Sequence, residues 1–291
     1  MNLNQNLTYI GKLWGPNNKQ PILALHGWMD NAGSFDHIAP LLKNHSILAI
    51  DLPGHGRSSW LPRGIPYEDK IYAKTLRTIV KHFGWNKVKL LGHSMGGITC
   101  FNYARLYPQE IEFVVSIDSL SFFVQSLSTH TKILAIGIDE FINFEKKMIN
   151  DPPSYPMDKA IQKWLKGSQF QSLDLQAVKT LMKRGSKEKE DGTVYFTRDY
   201  RLTIFAFNSY HTMQDAREMA QCIKCPYLVI RATDTPFYHE NKYWSNVGDV
   251  LKNNSKDFCI ADVNGAHHVH LTNAQEVADK INPFLDKYNI C

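Results

Sequence analysis

Residues 88–97 read Val-Lys-Leu-Leu-Gly-His-Ser-Met-Gly-Gly, an apolar, β-branched start that runs into Gly-x-Ser-x-Gly. Helix-compatible sequence from Ile98 to Tyr107 follows. A strand that enters a sharp turn and leaves as a helix can present one side chain, here Ser94, at the tip of the turn as an exposed nucleophile. The flanking glycines are there for steric reasons, because a side chain at Gly92 or Gly96 would collide with the strained turn.

The rest of the chain fits around such a turn. Pro21 to Leu25 is a compact apolar run that stops at His26-Gly27-Trp28, and Ser46 to Ile50 is another, broken by Asp51-Leu52-Pro53-Gly54-His55-Gly56. Tyr9 to Trp14 reads as a short early strand, Glu112 to Ile117 as a later one ending at Asp118. Helical spacing is expected at Ser34 to Leu42 and at Tyr67 to Phe83, the latter stopped by Gly84. Strands apolar on both faces, alternating with amphipathic helices, predict an α/β fold with a mostly parallel central sheet covered on both sides. Chemistry then collects at the carboxyl ends of the strands.

That regularity lapses between about Leu120 and Gln221. Helical patterns at Ile133 to Ile149, Asp158 to Leu165 and Leu173 to Met182 continue without a buried parallel strand. The expected organisation is a core of residues 1–119 and 222–291 with a mainly helical lid, residues 120–221, inserted into it. The α/β pattern resumes at Pro226 to Ile230 and Asp257 to Val263, and closes with a helix from Ala274 to Lys287.

Bulk properties exclude several classes. The net charge of +5 is spread over short Lys/Arg pairs, without the concentrated basic face that nucleic acid or a membrane surface requires. No apolar stretch is long enough to cross a bilayer, and the first six residues are polar; a soluble, cytoplasmic protein without stable membrane insertion is expected. Five cysteines, an odd number, fit free thiols in a reducing compartment, and Cys222-Ile223-Lys224-Cys225, followed by Pro226, reads as a strand entry rather than a redox or metal site. Nothing in the sequence fixes an oligomeric state.

A serine hydroxyl needs a base. Asn264-Gly265-Ala266-His267-His268-Val269-His270 follows the last strand. His267, first after the turn, is the expected base; His268 should point elsewhere, and His270 should brace the loop. No carboxylate or cysteine set at ligand spacing accompanies the three histidines, so no metal is expected. The acid has two candidates. Asp234 follows the Pro226 strand, but in a Pro–strand–Gly-x-x-Asp pattern the acid slot falls one residue later, on Thr235. Asp118 requires no such slip and is preferred. The backbone amides of Trp28 and Met95 are the expected oxyanion donors, with His26 bracing its loop and Asp51 serving its own turn.

His26 to Phe35, Asp51 to Gly56, Gly92 to Gly97 and His267 to His270 together resemble the α/β-hydrolase superfamily, and within it the serine hydrolase-like (Kraken-type) family. Val80 to Trp85 and Arg198-Asp199-Tyr200-Arg201-Leu202 carry the narrower resemblance. It implies a nucleophile at Ser94, a base at His267, an acid at the end of the strand before the lid, which favours Asp118, and no cofactor. The expected activity is hydrolysis of an ester-type bond in a small or medium apolar acyl substrate through an acyl-enzyme. A ligand-binding protein with little turnover, or a C–C bond or peptide hydrolase, are the alternatives on the same scaffold. Phe122, Phe123, Phe141, Phe144, Trp164, Phe205 and Phe207 could line an acyl pocket, but most are expected to form the lid's own core.

Overall fold

The computed structural model describes residues 2–4, 7–16, 19–146, 152–236 and 241–288. Seven strands form its main sheet: β1 (Gly11–Trp14), β2 (Ile22–Leu25), β3 (Ile47–Ile50), β4 (Val88–His93), β5 (Ile111–Ile117), β6 (Tyr227–Ala232) and β7 (Phe258–Val263). Their order is β7-β6-β5-β4-β2-β3-β1, parallel throughout except β1, which runs antiparallel to β3 at the edge.

Alternation along each strand divides the core into two layers. Leu23, Leu25, Leu90, Val114 and Val229 pack on one face with helices α1 (Asp69–His82) and α2 (Met95–Leu106). Ile22, Ala24, Leu91, Val115 and Ile230 pack on the other with Phe35, Ile38, Ile281 and Phe284. An uninterrupted apolar run is what a strand buried on both faces requires. Ser34 to Leu42 departs from expectation: it forms two 3₁₀ turns, Ala32–Phe35 and Ala39–Leu41. Pro40 withholds an amide hydrogen there, and Asn31 caps the first turn by accepting from Gly33 N–H.

Between β5 and β6 the chain adds α3 (Leu127–Lys146), α4 (Met157–Gly167), α5 (Leu175–Gly185) and α6 (Met213–Gln221). The expected helix at Ile133 to Ile149 is seen to Lys146; residues 147–149 lie outside the described residues. Three short strands, Ser154–Tyr155, Ser186–Glu188 and Val194–Phe196, make a separate antiparallel sheet that periodicity did not reveal. Trp164, Leu173, Val178, Leu181 and Phe196 form a small core of their own, whereas Ala216 and Ala220 of α6 belong to the main core. After α7 (Asn241–Asn254) and β7, the chain ends in a short α8 (Val269–Thr272) and α9 (Ala274–Tyr288). No helix among the described residues is long and apolar enough to cross a membrane.

Candidate active site

Ser94 stands between β4 and α2 with φ 51° and ψ −117°, a conformation that costs on the order of 1–3 kcal/mol for a residue with a Cβ. The neighbouring glycines make it possible: a Cβ on Gly96 would run into the Leu25 carbonyl, and one on Gly92 into the Gly96 backbone. Ser94 N–H donates to the Ile117 carbonyl (3.0 Å), which ties the turn to the end of β5.

One residue further along β5, Asp118 also has a left-handed backbone (φ 50°) and donates its N–H to Ile230 (2.7 Å). Its carboxylate is fixed from two sides. Oδ1 accepts from Ala232 N–H (3.0 Å), and Oδ2 meets His267 Nδ1 at 2.6 Å. Both side chains of this pair are buried. With Nδ1–H donated to Asp118, the lone pair of His267 lies on Nε2, which is buried and has no hydrogen-bond partner among the described residues. Asp234 is elsewhere: exposed, with one carboxylate oxygen accepting from Thr233 Oγ1–H (3.0 Å). Of the two candidate acids, the structure brings Asp118 to His267.

Each of the neighbouring histidines is held by a hydrogen bond through at least one ring nitrogen, with Nδ1 of His93 and of His270 left without one among the described residues. His268 Nε2–H donates to Asp30 Oδ2 (3.2 Å), so its Nδ1 accepts from Ser172 Oγ–H (2.6 Å). No lone pair remains on it for proton abstraction. His93 Nε2–H donates to the His267 carbonyl (2.9 Å), and burial pushes the His93 imidazole down to about 4. Burial alone would raise Asp30, but the charges and hydrogen bonds of His268 and His93 hold its carboxyl well below the usual range. His270 packs its ring 4.1 Å from that of His93 and meets Ser34 Oγ at 2.6 Å, a bracing position. Asp30, His93 and His268 place one ligand-type atom each within 4.8 Å of one another, but in the tautomer these hydrogen bonds fix, both ring nitrogens of His268 are engaged and offer a metal ion no lone pair. Looking only along the chain near the histidines missed Asp30, which lies more than 200 residues away.

The loop after β2 is braced as expected. His26 Nδ1–H donates to Gly27 O (2.8 Å) while its Nε2 accepts from Leu52 N–H (3.0 Å). His55 does the same for the next residues, accepting from Met29 N–H (3.1 Å). Burial lowers both imidazoles, which keeps them neutral and able to accept. Asp51 serves the turn and more: it accepts from Ala32 N–H (2.7 Å), Arg57 N–H (3.0 Å) and the Arg184 guanidinium (2.6 Å).

A cavity of about 510 Å³ opens at this point, with Ser94, Met95 and Trp28 in its wall beside Asp30 and His268. Its remaining lining is mostly apolar and includes Phe122, Phe123, Trp164 and Phe205. Phe141, Phe144 and Phe207 pack instead in a minor cluster with Ile204 and Ala206. Ser94 Oγ and His267 Nε2 are not hydrogen-bonded to each other here, and the Phe170 ring stands edge-on to His267 at 5.8 Å. Cys222 and Cys225 are free thiols, and burial pushes Cys225 up to about 12.

The α/β-hydrolase fold family model matches residues 20–274. A protein of Drosophila melanogaster named as a probable serine hydrolase is 36% identical over 283 residues, 96% of this chain and 84% of that protein. A serine hydrolase-like protein of Danio rerio is 31% identical over 279 residues, covering 94% of this chain and 84% of the other. Among solved structures, a hypothetical protein from Pseudomonas aeruginosa PAO1 superposes with a TM-score of 0.85 at 27% identity, covering 97% of each chain. The thioesterase domain from the curacin biosynthetic pathway shares the fold at a TM-score of 0.75 and 18% identity, covering 94% of each chain.

Proposed function

Since this chain belongs to the α/β-hydrolase family, alongside the serine hydrolase-like proteins, we propose that it cleaves an ester-type bond of a small or medium, largely apolar substrate through an acyl-enzyme on Ser94. The observation that carries this reading is the His267 Nδ1–Asp118 Oδ2 contact of 2.6 Å, which leaves the Nε2 lone pair of His267 unengaged. In the proposed reaction Ser94 Oγ attacks the carbonyl carbon while His267 Nε2 takes its proton. Asp118 holds the imidazole tautomer and stabilises the imidazolium. The amides of Trp28 and Met95 receive the negative charge on the carbonyl oxygen. Collapse of the tetrahedral intermediate expels the alcohol, which takes the proton from His267. Water, deprotonated by His267, then releases the acid and restores Ser94.

The Ser94–His267 bond must close when substrate arrives, as such bonds often do between free and loaded enzymes. The segment between β5 and α6 acts as a lid that selects the acyl group, and no cofactor takes part. Labelling with a fluorophosphonate probe tests the reading. Wild type should label and hydrolyse p-nitrophenyl esters, and Ser94→Ala should do neither while keeping its circular dichroism. A folded wild type that neither labels nor hydrolyses p-nitrophenyl esters of any chain length would favour a ligand-binding role instead.

A further inference from the structure

The cavity that holds Ser94 is mostly apolar, yet one guanidinium stands in its wall. Arg198 packs its guanidinium carbon 4.8 Å from the Trp164 ring and 4.7 Å from the Phe196 ring. Two aromatic faces pin the planar group and strip water from it. Among the described residues it makes no hydrogen bond and no ion pair. The two buried arginines of the same segment are paired: Arg184 with Asp51 and Arg201 with Asp199, each at 2.6 Å. A half-buried cation without a directly paired counter-ion is costly to maintain, so its position calls for an anion brought in from outside.

Asp30 acts on the Arg198 charge only from a distance, and neither carboxylate in the same wall forms an ion pair with it. Asp30 accepts from His268 (3.2 Å), and Asp69 accepts from Ser209 N–H (3.3 Å) and Oγ–H (3.0 Å). Among the described residues, Arg198 is the only lysine or arginine in the cavity lining. A planar fork of N–H donors matches a carboxylate in a two-point contact worth more than a neutral hydrogen bond.

We infer that the substrate carries a carboxylate, separate from the bond that is cleaved, and that Arg198 pairs with it. This rests on the hydrolase reading above and narrows its substrate class. The apolar remainder of the cavity takes the hydrocarbon part, while the guanidinium fixes which end faces Ser94. Arg198 is thus a specificity-determining residue, distinct from the residues that handle the proton.

The test compares matched nitrophenyl esters in two pairs: the neutral hexanoate with the adipate half-ester that carries a free terminal carboxylate, and the neutral butyrate with the butyrate ester whose carboxylate sits on the phenol. Wild type should prefer one of the two anionic esters by at least tenfold in kcat/KM over its neutral counterpart. Arg198→Met should bring that ratio to within about twofold of unity, and Arg198→Lys should keep part of it. Equal rates on neutral and anionic esters in wild type, or a preference that survives in Arg198→Met, would overturn the inference. A chain that is not labelled by fluorophosphonate fails the hydrolase reading instead, and the anion site is then read at equilibrium. Adipate should raise the melting temperature of wild type and not of Arg198→Met; no shift in wild type overturns the site as well.

Discussion

The two sides of the segment over the sheet are held in different ways. The α5 side is fastened to the core by buried or partly buried polar contacts: Arg184 to Asp51 (2.6 Å), Asn31 Nδ2–H to Leu181 O (2.9 Å), His37 to Thr180 (3.0 Å) and Ser172 to His268 (2.6 Å). Arg201 extends this by donating to Asp199, Pro62 and Leu61. The α3 side is held lightly. Of its 20 residues only Gly137 and Phe141 are buried, while Ile133, Ile136, Ile138 and Ile142 remain exposed. A polar link to the core is Glu145 with Gly64 N–H (2.7 Å). Directional groups that must meet a substrate at a fixed distance, such as Arg198, stand on the fastened side. The loosely held side presents Ile133 to the cavity, where apolar contact tolerates variation in shape.

The largest effect should fall on the strand ends beneath the fastened side. Asp118→Asn should lower kcat on the order of 10⁴-fold by freeing the wrong tautomer of His267, and Asp234→Asn should change it by no more than about twofold. Comparable losses in both would erase the distinction between held and exposed carboxylates. Next comes the fastening itself. Arg184→Met leaves Asp51 buried without its counter-charge and should cost about 3–5 kcal/mol in a urea denaturation, against less than about 1 kcal/mol for Glu145→Gln on the α3 side.

Acid should act on the same fastened region. His93 titrates near 4 in the folded chain against an ordinary 6.5, so the unfolded chain binds the extra proton between those values. Its contribution is complete above about pH 6.5 and is lost as pH falls toward 4, about 3 kcal/mol in all. Burial depresses His26, His55 and His270 in the same direction, so their contributions are lost over the same descent. Melting temperatures recorded from pH 7 to pH 4.5 should fall continuously; a flat line would mean these imidazoles are charged inside the fold. The smallest effect belongs to α3: Ile136→Ser, at a side chain 60% exposed, should shift stability by no more than about 0.5 kcal/mol.

The sequence made the central strands legible because Ile22 to Leu25 and Ile47 to Ile50 are apolar at every position and Val88 to Leu91 at all but Lys89, as burial on both faces requires. Ser94 and the order in which His267 follows it could be read for the same reason: a tight turn leaves a local glycine signature. Asp118 against Asp234 could only be weighed, since what separates them is the twist that carries each strand end toward or away from an imidazole about 149 residues from Asp118. The Asp30–His268–Ser172 chain and the aromatic clamp on Arg198 left no local signal at all. The first joins residues distant in sequence, and although Arg198 to Leu202 carried the family resemblance, nothing local tells an arginine held by Trp164 from a solvated one. The strands Ser186–Glu188 and Val194–Phe196 are too short for periodicity to register.

His93 precedes Ser94 and grips the backbone of residue 267, and its ring lies against those of His267, His268 and His270 at 4.7, 4.9 and 4.1 Å. These positions must therefore be inherited together. A chimera that takes residue 93 from one parent and 267–270 from another would set rings side by side that were never fitted to each other. Crossover points that keep both stretches from a single parent, exchanging only the intervening segment, are the ones from which working recombinants should emerge.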